Sequence, residues 1–367
     1  MQAVILIGGF GTRLYPFTYT TPKSLLPIAN RPFLELECQW LRANGVTEVV
    51  FAVSHFAQAI VEYMQSGNVA DGFEVKVRLE EQPLGSGGAL KNCADILQDD
   101  FLLLNGDILM DMDLGKLLAS HRGAGAMVTA TVSRIEDTRR WGILDIQDDD
   151  RVLGWQEKPD PAEAKSLWGN VGAWAISRSI LDCIPEGRFV SLEKETFPAL
   201  FEKGEPFFGH RFSGYWKDIG TLDNYVQANR DLQAGAIRGL QPAGRETSKG
   251  IWIDDSAQVA DDAVLTPPVV LGADCRIGRG ARILGPTVMG GGVQVGAEAR
   301  IESSILWPNA KAGDRVAMRD CVIGEAEIGS DCALAGCSIA SNTVVAEGMR
   351  LSVGTVFGPG SRVCGPV

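Results

Sequence analysis

The chain has 367 residues, enough for two domains with full cores. Hydrophobic residues make up 45% and charged residues 22%, an ordinary soluble composition, and no apolar stretch approaches the roughly 20 residues of a membrane span. The net charge of −12 argues against a general nucleic-acid binder, although a few placed cations and a metal would still suit a small polyanion.

The N-terminus, MQAVILIGG, has no basic segment before its apolar run and no small-residue cleavage site after it, so it reads as a buried strand and not a signal peptide. From residue 1 to residue 232, short apolar runs (AVILI at 3–7, VVFAV at 49–53, FLLLN at 101–105) alternate with helical stretches. The stretch from Pro32 to Asn44 predicts a helix, opened by proline and stopped at Gly45. This alternation predicts an α/β domain with a mostly parallel, Rossmann-like sheet covered on both faces, whose ligands bind at the carboxyl ends of the strands. Residues 233–250 lose all periodicity and read as a linker rich in Gly, Pro and polar residues.

Across 251–367 the period changes to six. Val259, Leu265, Leu271, Ile277, Ile283, Met289, Val295 and Ile301 form an unbroken ladder, which slips near Pro308 and resumes through Val322, Ile328 and Leu334, then at Val345 and Leu351. Ordinary strands hold period two, so this pattern predicts a left-handed parallel β-helix of hexapeptide repeats. The eight cysteines are scattered, with no CxxC pair and no cluster at zinc spacing, which fits reduced thiols in a cytoplasmic protein.

The loop GGFGTRLYPFTYTTPK, residues 8–23, directly follows the first strand. Backbone N–H groups of Gly8, Gly9 and Gly11 can approach phosphate oxygens there, and Arg13 and Lys23 add positive charge. Leu14 stands where a dinucleotide fingerprint needs a third glycine, and the GK[ST] ending of a Walker loop is missing. On its own, a glycine-rich loop of this kind is more often a plain turn than a phosphate cradle. Asp107 ends the strand FLLLNGD, at the edge where ligands bind, and Asp218 lies in WKDIGT, just before a helix that Thr221 could cap. Two carboxylates of this kind in a phosphate-binding cleft point to a shared Mg²⁺.

The full string GGxGTRLxPxTxxxPK is followed in order by EQPLGSGGAL (81–90), NGD (105–107), WGI (141–143), EKP (157–159), NVGAW (170–174) and WKDIGT (216–221). Together these motifs resemble the sugar-1-phosphate nucleotidyltransferase family over nearly the whole chain. The resemblance implies transfer of a nucleoside monophosphate from an NTP to a hexose 1-phosphate, with release of pyrophosphate and with Mg²⁺ on Asp107 and Asp218. It implies a nucleotide site of Leu6, Gly8, Gly9, Gly11, Thr12, Arg13, Gln82, Gly85, Ser86 and Gly88. Arg13 and Lys23 would serve the triphosphate, and Lys158 would grip the sugar phosphate. Glu157, Asn170, Gly142 and Gly172 would complete the sugar-phosphate site, since hydroxyls are best read by carboxylate, amide and main-chain groups. Without the resemblance, Glu157 would read as an exposed partner of Lys158. Tyr15, Ile7, Ser86 and Val171 depart from the family's commoner residues, and none of them is assigned to catalysis.

FAVSHFAQAIVEYM, EQPLGSGG and SLEKETFPALFEKG lean toward the mannose-1-phosphate guanylyltransferase branch, which makes GDP-mannose from GTP. Glucose-1-phosphate enzymes making UDP-, dTDP- or ADP-glucose share every catalytic motif and stand as the alternative. A non-catalytic regulatory homologue is disfavoured because Lys23, Asp107 and Asp218 are all present. Acyltransferases built on hexapeptide β-helices usually need a histidine base there, whereas His55, His121 and His210 all precede residue 250. The β-helix is expected to support a homo-oligomer, with no nucleic-acid or membrane partner.

Overall fold

A computed structural model describes residues 1–54, 56–65 and 72–365; His55 lies outside the described residues. The chain forms two compact units, one of Met1–Gly9 with Glu37–Asp218 and one of Phe10–Leu36 with Ile219–Val367. No helix among the described residues is long and apolar enough to cross a membrane.

The first unit begins with β1 (Gln2–Ile7), α1 (Phe33–Ala43, whose first turn belongs to the second unit) and β2 (Glu48–Val53). It continues through α2 (Ala57–Gln65), β3 (Glu74–Leu79), α3 (Gly85–Asn92), β4 (Asp100–Asn105), β5 (Ile108–Met110) and α4 (Leu114–Ala124). Next come β6 (Val128–Arg134), β7 (Gly142–Ile146), β8 (Val152–Glu157), β9 (Trp168–Ser177), α5 (Phe197–Lys203), β10 (Phe207–Arg211) and β11 (Trp216–Asp218). The helix expected over Pro32 to Asn44 is one residue shorter at each end, with Pro32 drawn into a short ribbon against Pro27–Ile28.

The main sheet runs β8-β7-β9-β4-β1-β2-β3, with β6 and β10 added beside β9. Strands β4, β1, β2 and β3 are parallel; the apolar runs of β4, β1 and β2 follow from burial on both faces, whereas β3, at the sheet edge, alternates apolar and charged residues and is half-exposed. Beyond β4 the pairing turns antiparallel through β9, β7 and β8. The core includes Val4, Val50, Leu103, Trp174, Phe197 and Phe207. Each large apolar side chain buried in this way stabilises the fold by about 1.5–3 kcal/mol.

In the second unit α6 (Leu222–Gln233) starts at Thr221, whose hydroxyl caps it by accepting from the Asn224 backbone N–H, as expected from WKDIGT. Beyond Gln233, Arg245–Ser248 pairs antiparallel with Ile251–Ile253 at the edge of the first of three sheets. The three sheets have eight, seven and six strands, and within them coils stack in parallel. Val259 pairs with Ile277 and Ile277 with Val295, so one coil is three hexads, which fits the left-handed β-helix that the hexads predict. From Val259 to Ile301 the ladder residues point inward and lie in or against one core with Cys275, Ala281, Val293 and Ala299.

After Ile301 the coils shorten. Val295 pairs with Ala312, one residue short of three hexads, and Ala312 pairs with Ile328, two short. The shortening corrects one rung of the ladder. Leu306 pairs with Ile323, which enters the core, while Val322 pairs with Ile305 on the opposite face of that sheet.

Candidate active site

Asp218 closes a two-stranded ribbon that Asp107 immediately precedes. Strand β4 ends at Asn105, and the backbone N–H of Gly106 donates to the Leu6 carbonyl at 3.1 Å, turning the chain tightly against β1. Asp107 follows and leads into β5, which pairs antiparallel with β11 so that Ile108 faces Asp218. The ribbon is extended by the Tyr215 backbone N–H, which donates to Asp111 Oδ1 at 3.0 Å. It is braced by Trp141 and Trp216, whose rings meet edge to face with centroids 4.8 Å apart. The ribbon therefore presents two hard-oxygen donors from adjacent register positions, a donor set that suits Mg²⁺ bound jointly with a ligand's phosphates.

Glu37 adds a carboxyl that the sequence reading missed. It is 2% exposed on α1, and its Oε2 has no hydrogen-bond partner among the described residues. Burial first, and then the charge of Asp107, hold it well above the usual carboxylate range. The signal was present: Glu37 stands four residues after Phe33 and four before Leu41, on the apolar face of its own helix.

The proposed sugar-side residues line the neighbouring strand ends. Gly142 pairs with Glu157 across β7 and β8, and a Cβ on Gly142 would collide with the Trp155 ring. The Trp155 indole N–H donates to Glu157 Oε2 at 3.3 Å, and Lys158 Nζ lies 3.1 Å from Glu157 Oε1. Glu157 is half-buried, while Lys158 is exposed, adopts a left-handed φ of 52° and donates its backbone N–H to Trp141 O. On β9 the register against β6 shifts between Asn170 and Trp174, and Asn170 Oδ1 accepts from the Gly172 N–H at 3.2 Å. Gly172 has φ 85°, and a Cβ there would sit 2.8 Å from Asn105 Nδ2, so the bulge packs directly on the turn that leads to Asp107. Trp155, Glu157, Lys158, Glu193, Lys194 and Pro198 line an open cavity of about 520 Å³. Glu193 and Lys194 were not among the expected site residues.

The 81–88 stretch divides differently. Gln82 is exposed, but Gly85 has φ 72° and would drive a Cβ to 2.6 Å from the Val190 carbonyl. A Cβ on Gly88 would come within 2.9 Å of the Arg188 carbonyl. Ser86 Oγ donates to Glu193 Oε2 at 2.8 Å and accepts from the Leu192 N–H at 2.9 Å. Gly85, Ser86 and Gly88 thus dock α3 onto residues 188–193. On β1 Leu6 is half-buried, whereas Gly8 and Gly9 are exposed, with nothing within 4 Å of a Cβ built on Gly9.

Gly11, Thr12, Arg13 and Lys23 belong to the second unit. Gly11 has φ 64° and its carbonyl accepts from Thr18 Oγ1 at 2.8 Å. Thr12 and Arg13 are exposed on one tight turn, Thr12–Leu14, and half-buried Lys23 opens another, Lys23–Leu25. Tyr15 stacks on Tyr19 with ring centroids 3.9 Å apart, which ties this departure from the family pattern to packing at the loop edge.

A family model described as "Nucleotidyl transferase" matches residues 2–235. The chain belongs to the nucleotidyl transferase family. A second model, "GMPPB C-terminal domain", matches residues 247–325 of this nucleotidyltransferase. A mannose-1-phosphate guanylyltransferase of Mycobacterium tuberculosis is 37% identical over 78% of the chain and 79% of that relative. A UTP–glucose-1-phosphate uridylyltransferase of Synechocystis is 31% identical over 85% of the chain and 84% of its own length. The crystal structure of HddC from Yersinia pseudotuberculosis complexed with GMP-PN matches with a TM-score of 0.54 and 28% identity, covering 63% of this nucleotidyltransferase and 98% of HddC.

Proposed function

We propose that the protein joins GTP to mannose 1-phosphate, giving GDP-mannose and pyrophosphate. The register of Ile108 against Asp218, which puts Asp218 one step from Asp107 just past the end of β4, supports the reaction type. The guanylyltransferase relative and the C-terminal family match support the choice of base and sugar.

On this reading a phosphate oxygen of the sugar 1-phosphate attacks the α-phosphorus in line. The bond to the bridging oxygen of the β-phosphate breaks, and pyrophosphate leaves with the electron pair. No protein nucleophile is needed, because a phosphate monoester with a second pKa of about 6 is already largely dianionic at neutral pH. The chain's task is to hold two anions together and to neutralise the charge that develops. Arg13 and Lys23 take the triphosphate, and Lys158, paired with Glu157 in this structure, takes the sugar phosphate. Glu157, Asn170 and the main chain of Gly142 and Gly172 read the sugar hydroxyls, while Leu6, Gly8, Gly9, Gly11, Thr12, Gln82 and the 85–88 turn carry the nucleotide. Mg²⁺ held by Asp107 and Asp218 would offset charge on the phosphates.

Residues 1–232 are then the catalytic module, 233–250 a connector and 251–367 the β-helix. The eight cysteines are free thiols, which supports a reducing compartment, the cytoplasm. Self-association through the β-helix is supported by Val353 and Val356, which are 77% and 58% exposed on its last coils. Pyrophosphate release measured for GTP, UTP, dTTP and ATP against mannose, glucose and galactose 1-phosphates tests the specificity. A preference for GTP with mannose 1-phosphate supports the reading, and a preference for UTP or dTTP with glucose 1-phosphate refutes it.

A further inference from the structure

The segment that carries Lys23 is clamped by residues far downstream. Phe17, six residues before Lys23, is 2% exposed, and its ring lies 5.1 Å from that of Trp307 on the β-helix. Four residues after Lys23, the Pro27 carbonyl accepts from the Tyr225 hydroxyl on α6 at 2.7 Å. That hydroxyl in turn accepts from the Trp307 indole N–H at 3.0 Å, so one β-helix side chain touches both flanks of Lys23, directly at Phe17 and through Tyr225 at Pro27. Two further bonds fix the downstream flank: the Ala29 N–H donates to Asn229 Oδ1 at 2.8 Å, and Asn30 Nδ2 donates to the Met289 carbonyl at 2.6 Å.

We propose that Trp307 is a positioning residue for Lys23, acting through Phe17 and Tyr225, so that the β-helix sets where the ammonium of the glycine loop stands. This rests on the assignment of Lys23 to the triphosphate. A lysine on a flexible stem must be ordered at its root before its charge can act at one place. Trp307 is 6% exposed and reaches the loop with both its ring and its single donor. Burial pushes the Tyr225 phenol up, so its hydroxyl stays protonated and keeps donating to Pro27. With the indole donor removed, the same hydroxyl loses the bond it receives from the β-helix side, and the Pro27 flank is loosened.

The test compares Trp307→Ala, Trp307→Phe and Tyr225→Phe in the full chain, at temperatures where all three are folded by circular dichroism. KM for the NTP, KM for the hexose 1-phosphate and kcat are read separately. Misplacement of a charged group by about 1 Å costs up to about 100-fold, so Trp307→Ala and Tyr225→Phe should lower kcat/KM for the NTP by about 10- to 100-fold. KM for the hexose 1-phosphate should stay within about twofold, and Trp307→Phe, which keeps the ring on Phe17, should recover part of the loss. Unchanged NTP kinetics in both Trp307→Ala and Tyr225→Phe, or equal losses for the two substrates, would overturn the proposal. Amide hydrogen exchange over residues 17–30 gives a readout independent of turnover. If the wild type proves inactive with every substrate pair, the proposed function fails, and faster exchange confined to 17–30 in Trp307→Ala still supports the clamp. Unchanged exchange there refutes it.

Discussion

Asp218 stands opposite Ile108 across an antiparallel ribbon, which places it one register step from Asp107 although the two are far apart in the chain. The ribbon leaves directly from the end of β4, whose neighbour β1 leads into the glycine loop. The backbone pairing thus sets the two residues in neighbouring positions, and neutralising either side chain leaves the ribbon's backbone pairing in place.

Glu37 contributes a stability term that depends on pH. Its folded pKa lies above the ordinary value of 4.5. Below that value both the folded and unfolded states are protonated and nothing is lost. As pH rises, the unfolded chain releases a proton that the folded chain retains, and stability declines toward the folded pKa. Glu37→Gln in metal-free protein should therefore raise Tm at pH 7.5 relative to wild type and change it little at pH 4.5. A lowered Tm at pH 7.5 would contradict this.

His121 acts in the opposite sense. It is buried between Thr129 Oγ1 at 3.0 Å and Ser177 Oγ at 3.1 Å, and burial, opposed in part by Asp100, holds it below its ordinary value of 6.5. The folded state thus binds fewer protons than the unfolded state just below pH 6.5, and stability is lost as pH falls through the folded pKa. His121→Gln should flatten the change in Tm between pH 7.5 and pH 5, and an undiminished slope would count against this account.

Gly172→Ala tests the bulge beside Asn105. Its φ of 85° and the 2.8 Å approach to Asn105 Nδ2 leave no room for a methyl group. The substitution should destabilise the fold by about 1–3 kcal/mol. KM for the hexose 1-phosphate should rise more than KM for the NTP. Equal stability in chemical denaturation would contradict the strain.

Much of this was legible in the chain, and the exceptions share a cause. The hexad ladder gave the β-helix because six-residue spacing is local. It misread Val322 for Ile323 because coil shortening is decided by pairing with earlier coils. The place of Asp107 near a strand end was legible, although the strand stops at Asn105, and its metal role came only from the resemblance. The docking of Gly85, Ser86 and Gly88 was not, because their partners at 188–193 lie about a hundred residues downstream. Glu37 escaped because one acidic residue in an amphipathic helix resembles ordinary solvated charge until its face is counted.

Ile301 sits at 0% exposure within the β-helix core, stacked between Ile283 and Met318. Ile301→Ala should cost about 2–5 kcal/mol, through the lost methyl and methylene burial and the cavity left behind. Neighbouring coils share the damage, since each coil contacts only those next to it. A urea midpoint unchanged from wild type would remove Ile301 from the core.

On the proposed function, Asp107 and Asp218 act together in nucleotidyl transfer to a sugar 1-phosphate. Pyrophosphate release from GTP and mannose 1-phosphate across an Mg²⁺ titration, comparing the wild type with Asp218→Asn, tests this most directly. Wild-type turnover that depends on Mg²⁺, and a variant with unchanged Tm whose kcat falls by about 100-fold or more, is the predicted result. Near-normal turnover by Asp218→Asn, or no release by the wild type with any NTP and hexose 1-phosphate, would contradict it.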